Sequence, residues 1–233
     1  MLLSNCVLKT VVLLGMCFAA SLYASEYEDI VERAFEAMDD NYEESWSFIE
    51  ISTREEVRYE ASYDPRRQID DRWTLVSVDG RAPTEKESKS FLDEKAEILD
   101  DKSGEDDDAD VDIKPGTLTL LEETSDYWLF SFVPTEEEED MKFMEYIDGK
   151  MKVVKDGHFV EYLDLRSPKP FKPAMGVKID TFLTRITFGP AIPEGPIVPM
   201  SVDVQVKGKA LFAIKFDEKE TIHYQDYEYA GPD

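Results

Sequence analysis

The feature that most constrains the fold is a strict alternation of apolar and polar residues near the C-terminus. Valines and a methionine alternate with polar residues over 198–206, and Ala210, Phe212, Ile214 and Phe216 repeat the pattern. Successive side chains of a β-strand point to opposite faces, so this spacing predicts strands with one apolar and one polar face. Such strands are typical of antiparallel sheets that bury a single face.

Runs of this kind predict about eleven strands. They lie near 45–53, 56–63, 72–78, 117–122, 126–133, 142–147, 150–155, 158–165, 177–188, 197–206 and 209–217, with 220–229 as a closing strand. Asp-Gly pairs at 79–80, 148–149 and 156–157 are typical of tight turns between strands. We expect another turn at Lys207, Gly208 and Lys209, between two matched strands.

Two segments have helical spacing instead. Residues 25–41 place Ile30, Ala34, Phe35 and Met38 at steps of three and four. A second helix begins at Thr84 with a capping box, in which Glu87 stands three residues later. It continues with apolar residues on one side, namely Phe91, Leu92, Ala96, Ile98 and Leu99. Each amphipathic helix needs an apolar surface to lie on.

These elements predict an α+β fold. We expect a strongly curved, mostly antiparallel sheet, an unclosed β-barrel of about eleven strands, covered by two or three α-helices. Residues 26–233 would form this single domain, with an acidic loop near 101–114.

The first 25 residues have the composition of a secretory signal peptide. Lys9 precedes an apolar stretch over 10–22, which is too short to span a bilayer, and small residues follow up to Ala24. We therefore predict a periplasmic or secreted protein with no transmembrane anchor after cleavage. An alternative is an outer-membrane lipoprotein anchored at Cys17, since residues 14–17 resemble a lipoprotein box. Cleavage after Ala24 would remove both cysteines of the chain, and with them disulfides and thiolate metal sites.

Charge is large and unevenly distributed. The chain has 52 acidic and 26 basic residues, a formal net charge of −26. Residues 26–140 have 38 acids and 12 bases, whereas 141–233 have 14 and 13. Phosphate backbones and anionic lipid surfaces are therefore repelled at long range, which excludes nucleic-acid binding. Acidic runs at 105–112 and 136–140 predict solvated loops, and neither register of the first run fits an EF-hand.

No motif for catalysis, nucleotide binding or metal binding is present, so we predict a noncatalytic protein without cofactor or metal. His158 and His223 are expected at a turn and on a strand, with no metal-ligand spacing between them. Glu50, Glu161 and Asp180 are the acids most embedded in predicted strands, and we expect all three to face solvent.

The signal peptide, the order of strands and helices, and the segment Arg72 to Gly80 (RWTLVSVDG) resemble periplasmic lipoprotein carriers of the LolA/LolB-like superfamily. The resemblance covers residues 26–229 and is one of architecture. It implies an unclosed β-barrel whose concave side is plugged by helices and binds lipid acyl chains between sheet and helices.

A curved sheet whose concave side is incompletely filled predicts a cavity for a hydrophobic or lipid-like ligand. The apolar candidates for its lining are Phe48, Tyr59, Trp73, Leu75, Trp128, Phe130, Val202, Val204, Phe212 and Ile214. The alternative is a structural or envelope protein-interaction module with no such cavity. For that alternative, Tyr224 to Tyr229 would form an edge strand that presents tyrosines to an envelope protein partner, although a final strand within the sheet is the simpler expectation.

Overall fold

The computed structural model of the protein describes residues 26–39, 41–102, 113–135, 139–211 and 214–231. The predicted signal peptide over 1–25, with Cys17, lies outside these residues. Phe212 and most of the predicted acidic loop near 101–114 also lie outside them.

The described residues form one curved, unclosed antiparallel sheet of ten strands. The strands are β1 (Trp46–Arg54), β2 (Val57–Tyr63), β3 (Trp73–Val78), β4 (Thr119–Glu123), β5 (Tyr127–Phe132), β6 (Asp148–Val154), β7 (Phe159–Arg166), β8 (Val177–Pro190), β9 (Ile197–Ala210) and β10 (Ile214–Tyr229). Their order is β3-β2-β1-β10-β9-β8-β7-β6-β5-β4, which makes β3 and β4 the two edges. The predicted α+β class and the curved antiparallel sheet are confirmed.

One row of cross-strand partners runs through all ten strands and shows how the faces divide. In sheet order from β4 to β3, the row contains Leu120, Phe130, Met151, Leu163, Ile186, Val202, Ile222, Ser52, Tyr59 and Val78. All of them except Ser52 are apolar or aromatic. We call this face, against which the helices pack, the covered face, and this set of ten the apolar row.

The opposite face is polar. A neighbouring row on that side contains Ser131, Lys150, Asp164, Arg185, Asp203, Thr221, Thr53 and Arg58. We call this side the open face. The alternation seen in the sequence therefore sorts the side chains as predicted.

The described residues also form three α-helices, α1 (26–36), α2 (Tyr42–Ser45) and α3 (Glu85–Lys102). α1 ends before the predicted residue 41, because Met38 forms a β-bridge with Ile197. The capping box of α3 is confirmed. The backbone N–H of Thr84 donates to Glu87 Oε2 at 2.7 Å, and the N–H of Glu87 donates to Thr84 Oγ1 at 3.3 Å.

The helices bury different parts of the covered face. α1 contributes Ile30, Val31 and Ala34 to the largest core cluster, on β5 to β8. A second cluster, around Phe48 and Tyr227, includes Tyr42 of α2, and a third joins Phe91 of α3 to β2 and β3. Within the described residues, no helix combines the length and apolar character needed to cross a bilayer.

The predicted strand count was slightly too high for two reasons. The segment predicted as a strand at 142–147 belongs to a 3-10 helix, Glu139–Tyr146, which buries Met144. In addition, 209–217 and 220–229 are not separate strands. Residues 214 to 229 form the single strand β10, which pairs with β9 on one side and β1 on the other.

The turn predicted at Lys207 to Lys209 was wrong, since β9 continues to Ala210. Gly208 lies inside the strand, opposite Phe216. A Cβ at position 208 would lie 2.7 Å from the Phe216 ring and would also collide with the backbone oxygen of Lys178. The glycine is therefore required by packing within the strand, as is common where another chain segment approaches closely.

The tight turn predicted at Asp148 and Gly149 was also wrong, since both residues lie in β6. Gly149 is required by packing as Gly208 is, and it provides a test of the packing. A Cβ there would overlap the Phe132 ring directly opposite on β5. We predict that Gly149→Ala lowers the free energy of unfolding by about 2 kcal/mol, the usual magnitude for overpacking a core. Urea unfolding measures the change.

The matched control is Gly189→Ala on β8. There the added methyl would meet Met200 Cγ at 3.3 Å, and a methionine side chain adapts easily. If the two variants unfold at the same urea concentration, the packing described around Phe132 is wrong.

Candidate functional site

The middle of the apolar row is less completely covered than the β-strands that flank it. Met151 and Leu163 are buried on one side, as are Ser52 and Val78 on the other. In between, β8, β9 and β10 place four aliphatic side chains on the covered face that are only half-buried. These are Ile186, Val202, Val204 and Ile222, which we call the central stretch.

The central stretch belongs to none of the three core clusters that the described residues form. Central strands of a sheet are normally the best buried, since they are farthest from its edges. Here Ile186, Val202 and Ile222 are half-buried, whereas their neighbours in the row, Leu163 and Ser52, are buried. The arrangement leaves an apolar surface between α1 and α3.

A buried ion pair lies beside this surface. Lys95 Nζ of α3 donates to both carboxylate oxygens of Glu50 on β1, at 2.9 and 2.8 Å. Glu50 is 2% exposed and Lys95 12%. The same ammonium lies 4.1 Å from the centre of the Trp73 ring, so it also makes a cation–π contact.

A second ionic contact joins α3 to the sheet. Arg54 of β1 bonds to Glu94 of α3 and to Glu220 of β10. Glu220 pairs with Val204 of the central stretch, so these charges border the apolar surface directly. The pKa of Arg54 is raised, because its hydrogen bonds and charge attraction to the two glutamates outweigh the effect of burial.

Among the side chains of α3 that the structure describes, Glu94 and Lys95 form ion pairs with the sheet and Phe91 supplies apolar contact. Among the described side chains of α3, from Glu85 to Ala96, only Phe91 is buried. Leu92 and Ala96 are exposed, which contradicts the expectation of a continuous apolar side.

Tyr224 lies next to Glu50 in the same covered-face row. Burial first, and then the charge of Glu50, raise the pKa of Tyr224 far above that of an exposed tyrosine. Tyr227, which donates to the backbone oxygen of Pro199 at 2.5 Å, also has a raised pKa because of burial.

A cleft of about 630 Å³ opens at the β3 edge, between residues 66–71 and the first half of α3. Trp73, Leu75 and Leu92 supply its apolar lining, and Arg66 and Arg67 its basic one. Both arginines form ion pairs with Asp64. Two aspartates, Asp70 and Asp71, line the same cleft, so its walls are mixed rather than cationic.

The ten predicted cavity residues are divided among several places. Phe48 is buried by aromatic rings, with Tyr63 stacked at 5.0 Å and Trp73 at 5.7 Å. Tyr59, Trp73 and Leu75 pack near α3, and Trp128 and Phe130 belong to the α1 cluster. Val202 and Val204 lie in the central stretch. Ile214 is 58% exposed at one end of the sheet, and Phe212 lies outside the described residues.

Two buried carboxylates were not identified from the sequence. Glu50 was expected to face solvent, but a helix that follows it by 45 residues covers it. Asp164 is also buried, on the open face, between Arg166 and Arg185. Burial alone would raise the pKa of Asp164, but hydrogen bonds from the two arginines reverse the effect and lower it.

The other titratable candidates lie apart from the central stretch. Glu161 pairs with Lys152, and Asp180 with Lys178. His158 contacts the backbone oxygen of Ile30 through Nε2 at 3.0 Å, and His223 lies on the open face opposite Ile51. Within the described ranges, no group of three or more histidines, cysteines and acids is arranged to hold a metal ion.

Comparison with models of known protein families finds no match for this chain. Searches of curated proteins and of solved structures find no significantly similar protein either.

The buried pair between Lys95 and Glu50 gives a direct test of how α3 is held. Lys95→Met leaves the Glu50 carboxylate buried without its cation, and we predict a loss of about 3 kcal/mol in the free energy of unfolding. The double variant Glu50→Leu/Lys95→Met removes both charges and should recover most of this loss. Urea unfolding of both variants at neutral pH measures the difference.

Lys89→Met on the same helix is the control, since Lys89 and its partner Asp93 are 75% and 65% exposed. Such a surface pair contributes less than about 1 kcal/mol. Equal losses in the single and double variants would contradict a buried charge pair at this position.

Proposed function

We propose that this chain is an exported, noncatalytic binding or carrier protein for a hydrophobic or lipid-like ligand. The ligand would lie on the central stretch, between α1 and α3. The incomplete burial of Ile186, Val202 and Ile222, three consecutive members of the apolar row between the buried Leu163 and the buried Ser52, carries the proposal. Apolar surface left at the centre of a sheet and bordered by helices is a common property of sites for apolar ligands.

The contacts of α3 support this proposal. A ligand that enters between α3 and the sheet has to displace α3. Displacing a helix that is held by tightly packed apolar side chains would require a large free energy. α3 contributes one buried apolar side chain, Phe91, among those described, together with ion pairs through Glu94 and Lys95. Buried ion pairs contribute little net stability, because desolvation offsets much of their attraction. Separating the described part of α3, from Glu85 to Ala96, from the sheet therefore requires less free energy than separating a continuous apolar side would.

One side of the apolar surface has a polar border, which consists of Arg54 with Glu220 and of the ion pair between Glu50 and Lys95. An amphiphile could place its chain on the central stretch and its polar end at this border. The predicted export and the resemblance to periplasmic lipoprotein carriers favour the same class of ligand, and both remain predictions.

Filling the central stretch tests the proposal. Val204→Trp would place a large ring on the surface where the ligand is proposed to lie. We predict that it reduces saturable binding of the fluorescent apolar probe N-phenyl-naphthylamine by at least about tenfold, as expected for an occupied apolar pocket. Fluorescence titration of the probe measures the affinity.

Gln205→Trp is the matched control, because it places the same ring one residue later, on the open face of β9. It should bind the probe as the unmodified protein does. Absence of saturable binding to the unmodified protein, or equal binding by the two variants, would refute the proposed ligand site.

A further inference from the structure

The end of the sheet where β8 begins, β9 ends and β10 begins has an unusual surface. Val177, Ala210 and Ile214 form the last paired row there. Ile214, which belongs to this row, is 58% exposed. Met175, two residues before Val177, is 98% exposed, and Leu211, which follows Ala210, is 71% exposed. We call this end, with its three exposed apolar side chains, the apolar tip. Exposed apolar side chains grouped at one place commonly mark an interaction site.

A row of three lysines lies one residue behind the apolar tip, on the open face. Lys178 of β8 is opposite Lys209 of β9, and Lys209 is opposite Lys215 of β10. Like charges directly opposite one another destabilise a sheet. Lys178 forms a salt bridge with Asp180, which the charge of Lys209 also attracts, whereas Lys209 and Lys215 themselves form no salt bridge among the described residues. One carboxylate, Asp180, therefore offsets only part of the repulsion within this lysine row.

The local charge differs from that of the whole protein. The chain as a whole has twice as many acids as bases. Near the apolar tip the balance is different. Lys207 also lies on the open face, two residues before Lys209 on β9, and pairs with Asp217. Four lysines thus face two aspartates, Asp180 and Asp217, at this end of the open face.

We propose that the apolar tip and the lysine row dock this protein on the surface of an anionic lipid bilayer. Met175, Leu211 and Ile214 would enter the boundary between headgroups and acyl chains, and the lysines behind them would meet lipid phosphates. This order, apolar side chains outermost and cations one step behind, is the order of layers that a protein encounters at a membrane surface. An acidic soluble partner would use the lysines but leave the apolar tip without a role.

The net charge of −26 does not prevent such docking. Screening at physiological ionic strength limits charge effects to about 8 Å. The acidic excess belongs to residues 26–140, whereas residues 141–233, which include the whole tip, have 14 acids and 13 bases. A membrane that faces the tip therefore meets the lysines before the acidic half of the chain. This docking does not depend on the ligand proposed for the central stretch.

The test is flotation of the mature protein with two kinds of vesicle, phosphatidylglycerol mixed with phosphatidylcholine, and phosphatidylcholine alone. The protein should float with the anionic vesicles, and rising salt should weaken its binding. Lys209→Gln/Lys215→Gln should weaken binding to the anionic vesicles by roughly thirtyfold, which corresponds to about 2 kcal/mol. The fold should be retained, because these substitutions remove two like charges that lie opposite each other. Urea unfolding checks that the free energy of unfolding is not lowered.

Lys86→Gln/Lys89→Gln is the matched control, because it removes two exposed lysines of α3 and leaves the tip intact. Its binding should equal that of the unmodified protein.

Leu211→Asn/Met175→Asn should weaken binding even at salt concentrations that already screen the charges of the lysines. The proposal is overturned if the unmodified protein stays with the buffer, or if both lysine variants bind alike. Binding to polyglutamate without binding to anionic vesicles would also overturn it, in favour of an acidic protein partner.

Discussion

The alternation of apolar and polar side chains along ten hydrogen-bonded strands is the constraint on which the rest of the structure depends. It places one mostly apolar row of side chains, which runs across all ten strands, on the same side of one sheet. Ten strands spaced about 4.8 Å apart span about 45 Å, whereas a helix of 18 residues is about 27 Å long and about 10 Å wide. The three described helices are too narrow to seal a face of that width, and the central stretch is among the side chains that they leave half-buried.

Ion pairs between charged residues hold α3 against the sheet. Glu50 and Arg54 are placed by alternation on the apolar side of β1, and each is matched by a residue of α3. A helix attached in this way is specified in position, since an unpaired buried charge would be strongly destabilising, but it gains little net stability from the pairs themselves. A well-defined closed position that can still be opened is what a binding protein with a covered apolar site requires.

Local patterns in the sequence were enough to predict most of the fold. Alternation identified the strands, and the spacing of Thr84 and Glu87 located the start of α3, because both depend on neighbouring residues. Gly208 was misread as a turn, since the ring of Phe216 that explains it comes from the next strand. The segment at 142–147 was misread because short apolar runs do not separate strand from 3-10 helix.

The candidate site was less predictable than the fold. Val202 and Val204 were identified correctly as covered-face residues, but the same pattern also selected Phe48 and Phe130, which the protein's own side chains bury. Alternation reports which face a residue is on, and it cannot report how closely another element packs there. The burial of Glu50 depends on Lys95, and the lysine row depends on the register of three strands, so neither could be read from spacing alone. The resemblance to lipoprotein carriers remains a prediction.

We propose that the middle of the covered face accommodates an apolar molecule from outside the chain. Native mass spectrometry of the protein purified from its host without detergent tests it most directly. The native protein should have a mass greater than that of the denatured chain in the same sample, with the difference released as a lipid-like molecule. Identical native and denatured masses under conditions that preserve known lipid complexes would contradict it.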